Sequence, residues 1–250
     1  MRLLLSGEGP SDMGTLRPGD SGPEFMPGPM AWLVDRTLEA WLGYSVLAQR
    51  ESDPDALGFV SEMELTEAAK ALRPRKAKTL SGYKNPEGTG LFRRNAEMLG
   101  ARALSDAAAT GRPVVAVLFR DGDGTRSSPP DDWQRKLESM LNGFQLAGCT
   151  TGVPMLPRPK SEAWLLCALK AQPYWHCAAL EEASGNDNSP NSLKTQLDAL
   201  IGHTAGAEEQ AQWVKDGRVD PNRLDMPSFL TFRRHLEAAW AEVSAGSSAT

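Results

Sequence analysis

Two aspartates one residue apart, Asp121 and Asp123, follow directly on an unbroken apolar run, Val114-Val115-Ala116-Val117-Leu118-Phe119, with Arg120 at its end and Gly122 and Gly124 interleaved. Carboxylates on a glycine-flanked turn are hard-oxygen ligands suited to Mg²⁺ or Mn²⁺. A surface loop rich in Asp and Gly would carry the same letters. The pattern recurs near the start of the chain, where residues 2–6 read as a short buried strand ending at Gly7-Glu8-Gly9-Pro10-Ser11-Asp12. Glu8 and Asp12 are four apart, so on a helical turn both project from one face, within reach of a shared cation. The plainer reading makes Asp12 a helix cap and leaves Glu8 solvated. At a third junction, a candidate strand over Thr151 to Leu156 leads into Pro157-Arg158-Pro159-Lys160-Ser161-Glu162. Ser161 there suits a helix cap, and charged residues at a helix start often do no more than cap it.

The three junctions share one layout: a buried strand ends and carboxylates appear in the turn after it. Ligands of open α/β sheets sit at the carboxyl ends of the strands. If these strands are neighbours in a parallel sheet, Glu8, Asp12, Asp121, Asp123 and Glu162 converge on one edge with Lys160. So many carboxylates repel one another unless divalent cations neutralise them. Two ions roughly 4 Å apart are the arrangement for in-line phosphoryl displacement. A second segment bears on the substrate. Arg73, Arg75, Lys76, Lys78, Lys84, Arg93 and Arg94 crowd residues 73–94, offset only by Glu87, with Tyr83 and Phe92 between them. A basic, Gly/Pro-broken stretch with aromatics suits tracking of a phosphate backbone, and a solvated surface loop is the alternative.

The elements that must position these groups are those of an α/β fold, a mostly parallel central sheet flanked by helices with a helical C-terminal part. Fully apolar runs bounded by turn residues read as strands buried on both faces. Residues 13–29, crowded with Gly and Pro, read as a long loop. Met30 to Leu42 reads as a helix, Tyr44 to Gln49 as a second strand, and Leu91 to Ala109 as a helix delivering the chain to the central strand. A helix runs from about Pro130 to Leu146, with Trp133, Leu137, Met140, Leu141 and Phe144 on one face. The last third holds helices over Ser192 to Ile201 and Ser228 to Val243. Residues 204–226 between them read as polar and mobile apart from Trp213, and the final residues as disordered. The expected division is a core over 1–170 and a helical extension over 171–250 packed on it.

Composition narrows the classes. A chain of 250 residues can bury a sizeable core. Its net charge of −5 gives no global pull on nucleic acid, so any such binding needs a local basic patch. Cys149, Cys167 and Cys177 are odd in number and lack CxxC spacing, which points to a reduced cytoplasmic protein without structural zinc. No apolar run approaches the roughly 20 residues that cross a bilayer. The first residues turn to charge too soon for a signal peptide. His176, His203 and His235 are scattered without ligand spacing. No Ser-His-Asp arrangement, GxGxxG or P-loop is present.

An apolar strand ending in Glu8-Gly9, and a later one followed by Asp121-Gly122-Asp123, resemble the signature of the Toprim domain. That domain is shared by DnaG-type primases, topoisomerases, RecR, the small ribosomal-RNA maturases and the OLD-family nucleases. Asp12, four after the glutamate, is similar to the OLD nucleases. Lys160-Ser161-Glu162-Ala163-Trp164-Leu165-Leu166 resembles small stand-alone Toprim-like bacterial proteins, some encoded near defence genes. The resemblance covers roughly residues 1–170, and the chain departs from the simplest Toprim layout in the Gly/Pro loop and the basic insertion. The resemblance implies that Glu8, Asp121 and Asp123 hold Mg²⁺, that Asp12 and Glu162 complete a second ion site, and that Lys160 stabilises charge on phosphate. A simple salt bridge is the alternative role for Lys160. Tyr44, Tyr83 and Tyr174 lie away from the motifs, so a topoisomerase nucleophile has no candidate. The expectation is a metal-dependent nuclease hydrolysing DNA or RNA in a bacterial defence or nucleic-acid processing system. The rival is a non-catalytic Toprim-like partner of an ATPase, and a third option is phosphate-ester chemistry on a small nucleotide. Homo-oligomerisation is left open.

Overall fold

A computed structural model of the chain describes residues 1–19, 22–71, 88–125 and 128–247. Its centre is a four-stranded, wholly parallel sheet of β1 (Arg2–Gly7), β4 (Leu57–Ser61), β5 (Val114–Phe119) and β6 (Gly152–Met155), in the order β4-β1-β5-β6. The two central strands are apolar on both faces because both faces are covered. Leu3, Leu5, Val115, Val117 and Phe119 point into one hydrophobic cluster, and Leu4, Val114, Ala116 and Leu118 into another.

The first cluster is closed by α1 (Pro29–Leu42), α5 (Glu162–Leu169), α6 (Leu193–Ile201), α7 (Ala207–Lys215) and α8 (Pro227–Ser247). The second is closed by α2 (Glu62–Ala71), α3 (Gly90–Thr110) and α4 (Asp132–Ala147). Helices α3 and α4 approach closely because residue 143 is glycine. A Cβ there would lie 2.2 Å from the Arg93 carbonyl oxygen. Helices from the C-terminal part share the first cluster with the sheet, Trp164 meeting Phe229 edge-on at 5.0 Å between ring centroids.

Connectivity places the site. From β1 the chain moves to β4 on one side, and from β5 to β6 on the other, so the order reverses between β1 and β5. That crevice, at the carboxyl ends of the strands, is where open α/β sheets take ligands.

Four expectations change. Residues within 13–29 are not a loop: β2 (Gly14–Gly19) and β3 (Gly22–Pro27) pair as an antiparallel ribbon. A two-stranded ribbon is all edge, so proline, which donates nothing to a ladder, is tolerated in it. Phe25 of the ribbon stacks on Phe59 of β4 at 4.5 Å. Tyr44 to Gln49 is a turn, not a strand. The Asp35 carboxylate accepts from Ser45 Oγ (2.6 Å) and from the Leu47 amide (3.0 Å), so side-chain bonds take the place of a ladder. The strand beside β1 is β4, which its short, half-polar Leu57-Gly58-Phe59-Val60-Ser61 concealed. Residues 204–226 are folded, with α7 and the buried Ala211, Trp213, Val214, Val219, Leu224 and Met226 in the core. Cys167 and Cys177 are joined in a disulfide, while Cys149 is free and buried, so the expectation of three reduced cysteines is not met.

Arg73, Arg75, Lys76, Lys78 and Lys84 lie outside the described residues, as do the final three positions expected to be disordered. Arg93 and Arg94 sit in the first turn of α3, half-buried. Among the described residues no helix is long and apolar enough to cross a membrane.

Candidate metal centre at the strand ends

Register decides what meets at the rim. Gly7 pairs with Ser61 on one side and Phe119 on the other, and Phe119 pairs with Met155. The residues that follow, Glu8, Glu62, Arg120 and Asp121, therefore emerge side by side. The Glu8 carboxylate accepts from the Asp121 amide at 2.5 Å through Oε1 and from Arg120 Nη2 at 2.5 Å through Oε2. Arg120 also donates to Glu62 through Nη1. Arg120 is 8 % exposed as a residue, and its guanidinium carbon lies 4.9 Å from the centroid of the Phe92 ring.

Asp12 belongs to a single wide π-type turn, Gly9–Met13, that follows β1 directly. Its carboxylate accepts from Ser161 Oγ at 2.6 Å. The Ser161 amide in turn donates to Asp121 Oδ1 at 2.9 Å. Ser161 therefore starts α5 without capping it through its side chain, and joins two acidic residues instead. Glu162 is the next residue, and its Oε2 is buried without a hydrogen-bond partner.

Burial and mutual repulsion shape the protonation of this group. Asp121 is held well above the ordinary carboxylate range by burial, then by the charges of Asp12, Glu162 and Glu8. Burial also raises Glu8, against the opposing pull of Arg120, and raises Asp12, against the bond from Ser161. Glu162 is raised by burial and by Asp12. For Lys160 burial favours the neutral amine, but its bonds to Asp187 (3.0 Å) and the charges of Asp123, Asp187 and Asp121 outweigh it, so its pKa is raised and it stays cationic.

Asp123 differs from the rest. Its side chain is 57 % exposed, its backbone is left-handed (φ 48°), and its amide donates to the Pro159 carbonyl at 2.8 Å. Its carboxylate stands 3.5 Å from Lys160 Nζ, at the mouth of the site. The loop between the aspartates is pinned from below, because Lys136 Nζ donates to the Gly122 carbonyl at 2.6 Å.

The structure thus brings Glu8, Asp12, Asp121 and Glu162 into one electrostatically coupled group, with Asp123 and Lys160 at its edge. Sequence reasoning missed Arg120, Glu62, Lys136 and Asp187. Only Arg120 carried a signal, as a charged residue between a buried strand and an aspartate. Glu62 was hidden with its strand.

The donors are hard oxygens, which fit Mg²⁺ or Mn²⁺. Two observations add to the fit. The unpartnered Glu162 Oε2 and the opposed charge of Asp121 are groups that a divalent cation would satisfy. Among the described residues, no three of these carboxylates bring oxygens within 4.8 Å of one another, and the one group that close is Cys167, Cys177 and Asp225. Its sulfurs are bonded to each other, whereas a metal takes cysteine as thiolate. No family model matches the chain, and neither the curated proteins nor the solved structures supply a match.

Proposed function

We propose that the chain is a metal-dependent phosphodiesterase that hydrolyses DNA or RNA, built on a Toprim-like core. The observation that carries this reading is the gathering of Glu8, Asp12, Asp121 and Glu162 at the reversal point of a parallel sheet, beside a lysine that stays protonated. Glu8, Asp12, Asp121, Asp123 and Glu162 are the residues that would hold Mg²⁺ or Mn²⁺, one ion or two. Bound there, the metal would supply an activated water and Lewis-acid neutralisation of the phosphate.

The remaining roles belong to the chain itself. Lys160, at the mouth, meets the phosphate oxygens and balances charge that grows on them. Ser161 fixes Asp12 relative to Asp121, and Arg120 fixes Glu8, so that the carboxylates are oriented before substrate arrives. The basic residues of 73–94 supply the grip on the backbone. A bacterial defence or nucleic-acid processing role goes with the resemblance of the motifs. The Cys167–Cys177 disulfide removes the cysteine argument for a cytoplasmic setting.

The test is cleavage of end-labelled DNA and RNA with Mg²⁺ or Mn²⁺, together with calorimetric titration of Mn²⁺. Asp121→Ala and Glu8→Ala are expected to abolish cleavage while the circular dichroism spectrum is kept. Cleavage at the parent rate by both variants removes the proposal.

One observation favours the second reading, a non-catalytic docking module for an ATPase. Both Glu8 oxygens are already engaged, by Arg120 and by the Asp121 amide, so part of the acidic rim is neutralised internally. Under that reading Mn²⁺ does not bind tightly, and the same titration separates the two.

A further inference from the structure

Next to the acidic rim lies a cavity of about 450 Å³, well within the size of small-molecule sites. Gly122 and Gly124, which bracket Asp123, form one side of it. Trp133 and Pro130 at the start of α4, with Pro159 before α5, form apolar walls. The indole is held in place, its N–H donating to the Leu156 carbonyl at 3.1 Å. Glycine at 122 is what lets the loop lie against it. A Cβ there would stand 3.2 Å from Trp133 Cδ1 and 2.7 Å from the Pro157 carbonyl oxygen. The loop is closed from behind by the Gly185 amide, which donates to the Gly124 carbonyl at 2.8 Å.

Among the described residues, the lining offers no unpaired cation to hold a phosphate. The charged groups of the described lining are already partnered: Asp132 with Lys136 at 2.8 Å, Glu182 with Arg158 at 3.3 Å, and the Glu181 carboxylate with Ser228. Such walls suit a flat, uncharged group set against an indole. The neighbouring ground is the opposite. Asp123, between the two glycines of the cavity wall, is 3.5 Å from the cationic Lys160. Anion-binding chemistry and a stacking pocket are thus separated by one residue of a loop.

We infer that this cavity receives a single unstacked nucleobase of the substrate strand, next to the phosphodiester held at the acidic rim. The inference rests on the nuclease reading for its setting, but the base site is testable apart from it. Trp133 is a specificity residue in this scheme: it touches the base and no reacting atom. A base can enter only from a single-stranded, frayed or locally opened substrate, since the pocket is far too small for a duplex. The substrate class is therefore single-stranded nucleic acid or duplex ends.

Two measurements decide the matter. In the first, adenosine and cytidine are titrated into the full chain in EDTA, followed by calorimetry or ligand-observed NMR, with inorganic phosphate as competitor. Saturable nucleoside binding is expected, not displaced by phosphate, and weakened about tenfold or more in Trp133→Ala, as loss of a base-stacking partner does. Gly124→Leu is a second variant that keeps the indole. Gly124 lines the cavity and a Cβ there meets nothing within 4 Å, so a leucine is accommodated without displacing the loop, and it is expected to narrow the cavity and weaken binding to a similar degree. Absence of nucleoside binding in the parent chain, or equal binding by the parent and Gly124→Leu, overturns the inference.

The second measurement uses oligonucleotides with one abasic nucleotide stepped along the strand, cleaved in Mn²⁺. An abasic step at one position beside the cut is expected to raise KM about tenfold for the parent. Trp133→Ala and Gly124→Leu are expected to treat abasic and intact substrates alike. A parent enzyme indifferent to the abasic position overturns the base site while the nuclease reading stands. No cleavage of any substrate overturns the nuclease reading, and the nucleoside titration still decides the base site.

Discussion

Replacing Arg120 by methionine removes the buried cation that holds Glu8 at the acidic rim, together with the guanidinium that lies over Phe92, while keeping most of the aliphatic stem. Arg120 is 8 % exposed in the parent, and its guanidinium binds Glu8 at 2.5 Å and also Glu62. Removing one partner of a buried ion pair costs about 3–5 kcal/mol, because the other charge is left without compensation. The Glu8 and Glu62 side chains are 23 % and 32 % exposed, so water restores part of the loss, and about 2–4 kcal/mol remains. For a chain of this size that corresponds to a fall in Tm of about 5–15 °C.

The loss depends on pH in a definite sense. Burial raises the pKa of Glu8 above its ordinary 4.5 and Arg120 opposes that rise, so the variant raises it further. The bond to Arg120 contributes only while Glu8 is ionised. The gap between parent and variant is therefore largest at neutral pH and narrows as pH falls through the raised pKa of Glu8. Thermal unfolding of the metal-free protein, at neutral pH and again near the ordinary carboxylate value, measures both quantities. Arg120→Met combined with Glu8→Gln is expected to recover part of the lost stability, since the uncompensated charge is gone. A Tm loss below about 2 °C, or one of equal size at both pH values, refutes the account of Arg120 as an internal counter-ion.

Three further outcomes follow from the same geometry. Asp121→Asn keeps an acceptor for the Ser161 amide but removes a charge that its neighbours oppose. Because the folded-state pKa of Asp121 is raised, that charge costs stability increasingly as pH climbs above the unfolded value of about 3.8, so the metal-free variant melts higher than the parent at neutral pH. The same variant is expected to lose the Mn²⁺-dependent rise in Tm, and a parent-sized rise would count against Asp121 as a ligand. Gly122→Ala forces a Cβ to within 2.7 Å of the Pro157 carbonyl oxygen, shifting the loop that carries both aspartates. Cleavage should drop by roughly a hundredfold for a shift near 1 Å, with far-ultraviolet circular dichroism preserved, and parent-level kinetics would show that the loop tolerates the displacement. Finally, thiol titration of the denatured chain without reductant is expected to find Cys149 alone of the three cysteines, and all three after reduction. Three reactive thiols before reduction would restore the expectation drawn from the sequence.

Much of the fold was legible because its central strands and longer helices are strongly patterned. Val114 to Phe119 is apolar at every position, a pattern that a strand between two helical layers requires, and Trp133, Leu137, Met140 and Phe144 repeat at helical spacing. The acidic residues were legible for a related reason: a carboxylate directly after a buried strand has no place in the core and must face a ligand, a partner or water. What failed were elements held by single side chains or by pairing alone. The turn after α1 depends on the Asp35 carboxylate reaching Ser45 and Leu47, and the β2–β3 ribbon on two Gly/Pro-rich segments that match only each other.

The amino-acid order by itself determined which groups stand at strand ends, since local apolar runs and their terminating turns depend on neighbours only. Tertiary structure decided the partners. That Arg120 clamps Glu8, that Ser161 joins Asp12 to Asp121, and that Trp133 faces a cavity beside them all depend on strand order and register. Those are long-range properties. Glu8 and Asp121 are separated by 113 positions in the chain yet share a hydrogen bond, because the strands they follow, β1 and β5, pair side by side in the sheet.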